Sequence, residues 1–300
     1  MQKWLKWSSI AVGSIIVVGV AAVLVGLQLS ERKLARKVEV PTVPIVLSAD
    51  PARLELGRYL FNSRGCAECH GANGGGHELV NSGSMLVVAP NITPGAGSVT
   101  SSYQPADWAR TIRHGVRPDG RPLMIMPSED YNRMSDDDIA ALVVYAKQLT
   151  PLQGNPAVIQ LPLPMKLLYA AGIVRDSSEP INHALPPAQA VPVAVTAEYG
   201  AYVAKNCAGC HGAQFSGGKI PGGSPKWPAA ANLTPGKGSA MTAYTTPQAL
   251  AAMFRSGQRP DGTAVNRVMP FPSLKEFNDT DVQALYAYLK TLPPRDAGQR

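Results

Sequence analysis

The chain repeats itself. Cys66-Ala-Glu-Cys69-His70 and Cys207-Ala-Gly-Cys210-His211 share one C-x-x-C-H pattern, and the landmarks that follow recur at matched distances. Asn91-Ile-Thr-Pro-Gly95 begins 21 residues after His70, and Asn232-Leu-Thr-Pro-Gly236 begins 21 residues after His211. Pro105-Ala-Asp-Trp108 answers Pro247-Gln-Ala-Leu250, Arg117-Pro-Asp-Gly120 answers Arg259-Pro-Asp-Gly262, and Met126-Pro127 answers Met269-Pro270. A duplication of this kind demands two units of one architecture, each of about 100 residues and each with its own core.

Apolar periodicity gives each unit a helical frame. Ile139, Leu142, Val143 and Ala146 form one stripe at helical spacing; Val282, Leu285, Tyr286 and Leu289 form the other. These predict closing helices over 135–149 and 278–292, with Ser135 and Asn278 as N-caps and the Asp138 and Asp281 carboxylates near the positive helix ends. Opening helices over 52–62 and 196–205 lead into the C-x-x-C-H motifs and carry Gly57 and Gly200. Mid-helix glycine costs about 1 kcal/mol, so a close crossing of the first and last helices is expected there.

Against this frame the composition is odd. Aromatic residues make up 6% and charged residues 16% of the 300, while 28 glycines and 27 prolines make the chain loop-rich. Such units have little of their own to fill a core. Two thiols on one helical turn can reach the two vinyl groups on one porphyrin edge, and the histidine that follows can offer a ring nitrogen to iron, so C-x-x-C-H reads as covalent attachment of c-type haem. Structural zinc would lack a fourth ligand in each motif. A redox-active C-x-x-C pair would leave both histidines unexplained. Two bound haems would supply the missing core.

Trp7–Ser30 is a run of 24 residues without a charge. As a helix it would span about 36 Å, enough for a hydrocarbon core of about 30 Å. It is longer than a signal-peptide apolar region and ends without a small-residue cleavage site, which predicts an uncleaved anchor over residues 1–30. Haem is attached to such motifs outside the bacterial cytoplasm, so the haem-bearing body is expected on the periplasmic side of the inner membrane. Residues 31–50 then form a juxtamembrane linker, 51–151 and 196–300 the two haem domains, and 152–195 a proline-rich linker expected to run extended across both, with a helical piece near 165–172.

Net charge is +7 overall: +4 over residues 1–40, −2 over 41–150, zero over 151–195 and +5 over 196–300. The basic residues of the C-terminal half are scattered singly, which excludes a nucleic-acid surface. The unequal domain charges point to different redox partners for the two domains.

Each repeat resembles a class I cytochrome c domain, and the anchor-plus-two-domains layout resembles the cytochrome c subunits of membrane-bound bacterial dehydrogenases. Many of those carry three haem motifs where this chain has two. The resemblance implies a mainly α fold, two tandem class I-like haem domains after an N-terminal transmembrane helix, and His/Met ligation of each iron. His70 and His211 are the expected fifth ligands. The sixth fall on Met269 and, because it also lies nine residues before the N-cap of the last helix, on Met126 rather than Met124. His77, whose counterpart is Gly218, is expected at the surface; His114 is expected to have a local role and His183 lies in the linker. Arg117 and Arg259 are candidates for haem propionate contact, set against simple surface exposure. With neither iron left open, the expected role is electron transfer between a dehydrogenase or quinol-oxidising partner and an acceptor such as a terminal oxidase. A diheme oxidase subunit is the alternative, and a diheme peroxidase or thiosulfate dehydrogenase a weaker one.

Overall fold

The protein is described from a computed structural model covering residues 2–41, 43–154 and 156–300. It is mainly helical. Helix α1 (Gln2–Ala35) precedes the first repeat, which contains α2 (Pro51–Ser63), α3 (Cys66–His70), α4 (Pro105–His114), α5 (Ser128–Tyr131) and α6 (Asp136–Gln148). After α7 (Leu163–Ala170) the second repeat supplies their counterparts: α8 (Ala197–Ala204), α9 (Ala208–His211), α10 (Pro247–Ser256), α11 (Phe271–Leu274) and α12 (Asp279–Thr291).

The two repeats close in the same way. Helix α2 crosses α6, and α8 crosses α12. A Cβ on Gly57 would lie 2.1 Å from the Ala141 carbonyl oxygen, and one on Gly200 would lie 1.9 Å from that of Ala284. Glycine is therefore required at both crossings, because any side chain would push the helices apart. The predicted caps form as well: Ser135 Oγ accepts from the Asp138 N–H at 3.2 Å and Asn278 Oδ1 from the Asp281 N–H at 2.8 Å. The repeated Asn-x-Thr-Pro-Gly motif staples the chain leaving each last helix. Asn91 Oδ1 accepts from the Thr93 N–H while its amide donates to the Leu152 carbonyl at 2.9 Å; Asn232 does the same with Thr234 and with Arg295, at 2.8 Å. Both asparagines are fully buried, where an unpaired amide would be costly.

The linker contains its expected helical piece, as α7, but departs from the extended course across both domains. Val158–Gln160 forms β3, which joins the antiparallel hairpin of β1 (Glu78–Ser82) and β2 (Met85–Val88) in a three-stranded sheet of order β1-β2-β3. Helix α7 packs on α1, and Tyr169 is wholly buried in a cluster with Met124 and Leu161. The linker thus folds mostly onto the first repeat and α1; only further on does Val191 reach the second core. Extended proline-rich chain has backbone groups to satisfy, and β2 offers it a free edge.

The repeats meet through reciprocal contacts of equivalent residues. Tyr59 Oη donates to Asp281 at 2.7 Å and accepts from the Asn278 N–H at 3.3 Å. Reciprocally, Tyr202 Oη donates to Asp138 and accepts from the Ser135 N–H at 3.0 Å. The two aspartates, expected only to serve their own helix ends, are cross-domain acceptors. One element breaks the symmetry. Arg64, two residues before Cys66, makes an ion pair with Asp281 at 2.6 Å, both side chains being buried, and Tyr199 Oη also donates to Asp281 at 2.8 Å. Burial alone would depress the Arg64 pKa, but the Asp281 carboxylate outweighs it and the net shift is upward. The guanidinium therefore stays charged in the interface. Its counterpart in the second repeat is Lys205, which makes a cation–π contact with Tyr202 at 5.5 Å instead.

Candidate haem sites

In the first repeat a cavity of about 170 Å³ opens between α3, α4, the Met-Pro turn and the sheet. Cys66, Cys69, His70, Met124 and Met126 line it, and Val87 and Ile159 contribute from the sheet. His70 Nδ1 lies 2.9 Å from the Pro90 carbonyl oxygen, and His211 Nδ1 lies 2.8 Å from that of Ala231. Each carbonyl sits 20 residues beyond its histidine. An Nδ1–H held in this way leaves Nε2 with its lone pair, the tautomer an iron ligand needs. Burial lowers the pKa of both rings, although the carbonyl contact opposes it, which favours the neutral imidazole. Burial also pushes the Cys66 and Cys207 thiols up to about 12. That is the reverse of the acidified thiol of a disulfide-exchange centre.

The two Met-Pro segments share one conformation. Pro127 (φ −79°, ψ 59°) and Pro270 (φ −79°, ψ 69°) each form the centre of an inverse γ-turn. The Ser128 N–H donates to the Met126 carbonyl at 2.8 Å and the Phe271 N–H to the Met269 carbonyl at 2.9 Å. Met126 packs on the core that includes Cys66, and Met269 on the core that includes Cys207. Met124 lies outside the turn, 9% exposed, with Leu161 and Tyr169.

A porphyrin fits the first cavity on an independent observation. Trp108 lines it, and its indole Nε1 is buried without a hydrogen-bond partner. Such a donor costs about 1–3 kcal/mol unless something accepts from it, and a propionate would. Arg117 lines the same cavity. The two candidate arginines part company here, because Arg259 is exposed and its guanidinium donates to Thr263 Oγ1 at 3.1 Å and to the Ala264 carbonyl at 2.8 Å. Sequence reasoning missed Trp108 because its counterpart is Leu250, so the repeat hides it; its place on the inner face of α4 was the available signal.

Each C-x-x-C-H segment packs on the other repeat. Helix α9 lies against α5, and α3 against α11. Asp130 accepts from the Gly209 N–H at 3.1 Å, and the equivalent Ser273 Oγ donates to Glu68. Gly209 and Glu68 are the matching residues inside the two C-x-x-C-H motifs. Burial, with the Glu129 charge adding to it, raises the Asp130 pKa to about 7, against the pull of the Gly209 N–H.

The other histidines do not line the first-repeat cavity. His77 is exposed. His114 Nδ1 lies 3.0 Å from His183 Nδ1, so this pair holds the linker to α4 with one ring donating and the other accepting. Burial, then His183, Arg113 and Arg110, lower the His114 pKa to about 4. With a depressed folded-state pKa, the unfolded chain binds the proton first as pH falls below about 6.5, so stability is lost between there and about 4. Unfolding free energies from denaturant titrations between pH 7 and pH 4.5 are expected to fall further in the parent than in His114→Asn, by about 1–2 kcal/mol after solvent screening.

Comparison with known proteins finds a family match in each repeat. Residues 197–293 match the family described as cytochrome c, and residues 52–145 match that described as cytochrome c oxidase, cbb3-type, subunit III. The chain carries two cytochrome c domains. Such domains bind haem c. Across 277 residues, 84% of this chain and 62% of the relative, the sequence is 26% identical to the gluconate 2-dehydrogenase cytochrome c subunit of Pantoea cypripedii. It is 27% identical over 276 residues to the cytochrome c subunit of the quinone alcohol dehydrogenase of Gluconacetobacter polyoxogenes, covering 82% of this chain and 57% of that one. A shorter match, 30% over 141 residues, covers 44% of this chain and 29% of the fructose dehydrogenase cytochrome subunit of Gluconobacter japonicus. The chain thus spans less than two thirds of the length of each of these relatives. Helix α1 is long and apolar enough to cross a membrane, with a mean hydropathy of 2.8 over its most apolar 18-residue window.

Proposed function

We propose that the chain is a membrane-anchored electron carrier with two covalently bound haem c groups, on the periplasmic side of the inner membrane. The observation that carries this reading is the matched pair of half-buried histidines, each fixed through Nδ1 by a carbonyl 20 residues on and each accompanied by a Met-Pro γ-turn on the same core. Cys66 and Cys69 would hold the first haem as thioethers, with His70 and Met126 on its iron. Cys207, Cys210, His211 and Met269 would hold the second. When bound, each haem supplies a one-electron ferric–ferrous couple. The chain's own residues orient the imidazoles, place Trp108 and Arg117 as donors at the first cavity, and keep water from it with apolar walls.

The electron donor in this reading is a dehydrogenase or a quinol-oxidising complex, and the acceptor a downstream carrier or terminal oxidase. The names of the relatives support a dehydrogenase donor. A second reading, a subunit of a terminal oxidase, is favoured by the match over residues 52–145. Gentle solubilisation of the membrane, recovery of the chain and identification of what accompanies it separates the two. A dehydrogenase whose substrate reduces both haems is the expected result. Recovery with an oxidase core, without any dehydrogenase, would favour the second reading.

A further inference from the structure

Helix α1 is bare on all sides over residues 4–22, and burial begins only at Val23. From there Val23, Gly26, Leu27, Ser30 and Leu34 form a covered face, spaced three or four residues apart or adjacent. What covers it is α7: a Cβ on Gly26 would lie 2.5 Å from Leu167 Cδ2. Gly26 falls inside the charge-free run that ends at Ser30, about 6 Å from its end at 1.5 Å per residue. That run, about 36 Å long, exceeds a hydrocarbon core of about 30 Å by a similar length. Packing therefore places α7 at the depth of the bilayer interface.

The segment is built for that depth. Residues 161–174 contain a single charge, Lys166. Leu163 (47%), Leu168 (39%) and Ile173 (70%) remain exposed after folding. Charged groups begin where the run stops: Lys33 meets Glu179 at 2.9 Å, and Arg36 meets the buried Asp176 at 2.6 Å, locking the segment to the end of α1. Arg32, Lys37 and Lys166 are further cations at that level, where phospholipid phosphates lie.

We propose that residues 161–174 form a second membrane-contacting element, seated in the interfacial layer beside α1 with Leu168 and Ile173 among the phospholipid acyl chains. The proposal rests on reading α1 as a membrane span. It would fix the first cytochrome c domain against the bilayer surface, since α7 and β3 belong to one linker and β3 walls that domain's cavity.

The test is photolabelling of the native holoprotein in nanodiscs containing a phospholipid with a diazirine on its acyl chain, followed by peptide mapping. Adducts are expected in 7–30 and in 161–174, the latter at about fivefold or more the yield per residue of 196–300. Leu168→Glu with Ile173→Glu should cut labelling of 161–174 by about fivefold while leaving 7–30 unchanged. Adducts in 7–30 with only background in 161–174 would overturn the proposal and leave the anchor standing. Background in both would overturn the anchor reading, and the proposal with it.

Discussion

Replacing Met126 with histidine is expected to halve the red absorption band that reports methionine sulfur on ferric iron. The potential of the first centre should fall by on the order of 0.2 V, a quarter of the roughly 0.8 V that axial ligands span. Met124→Leu should leave both properties unchanged. The prediction turns on two methionines that line one cavity. Met126 leads an inverse γ-turn, as Met269 does in the second repeat, and packs against the same core as Cys66, whereas Met124 belongs to the Leu161–Tyr169 cluster. Optical spectra and a potentiometric titration of the three proteins decide between them. Loss of half the band in Met124→Leu would transfer the ligand to that residue.

The second large effect belongs to the interface. Asp281→Ala is expected to destabilise the holoprotein by about 3–5 kcal/mol, because it strands the buried Arg64 guanidinium and removes the acceptor of two tyrosine hydroxyls. Arg64→Met combined with Asp281→Leu should recover part of the loss, since no unpaired charge then remains. Electron exchange between the two centres should slow in Asp281→Ala. The reason is geometric: α3 and α9, the helices of the two C-x-x-C-H motifs, are held across this interface by α11 and α5. Denaturant unfolding of each variant, followed separately at the haem bands and by circular dichroism, reads both domains. An unchanged midpoint in Asp281→Ala would show that the domains do not depend on this contact.

Much of this architecture was legible because it is local. The closing helices came from apolar stripes of four residues each, their caps from single polar residues, and the helix crossings from two glycines that a helix would not otherwise keep. The duplication supplied a control for each assignment, as when the offset to the last helix separated Met126 from Met124.

What escaped the sequence is long-range or asymmetric. Tyr59 and Asp281 are 222 residues apart, and no periodicity links them. Strand β3 is only three residues long, too short to show alternation, and its partners lie some 70 residues earlier. Trp108 and the His114–His183 pair occur in only one half, so comparing the halves could not raise them. Arg117 and Arg259 show the converse, a residue kept in both repeats that faces the cavity in one and its own loop in the other.

The central claim is that both centres are closed, one-electron haem sites within one chain. Coulometric titration of the purified holoprotein, with spectra recorded at each step, tests it most directly. The account predicts two electrons per chain and low-spin spectra throughout, with the red methionine band of the oxidised protein at the intensity of two haems. Uptake of a single electron, or a high-spin ferric signal from either centre, would contradict it.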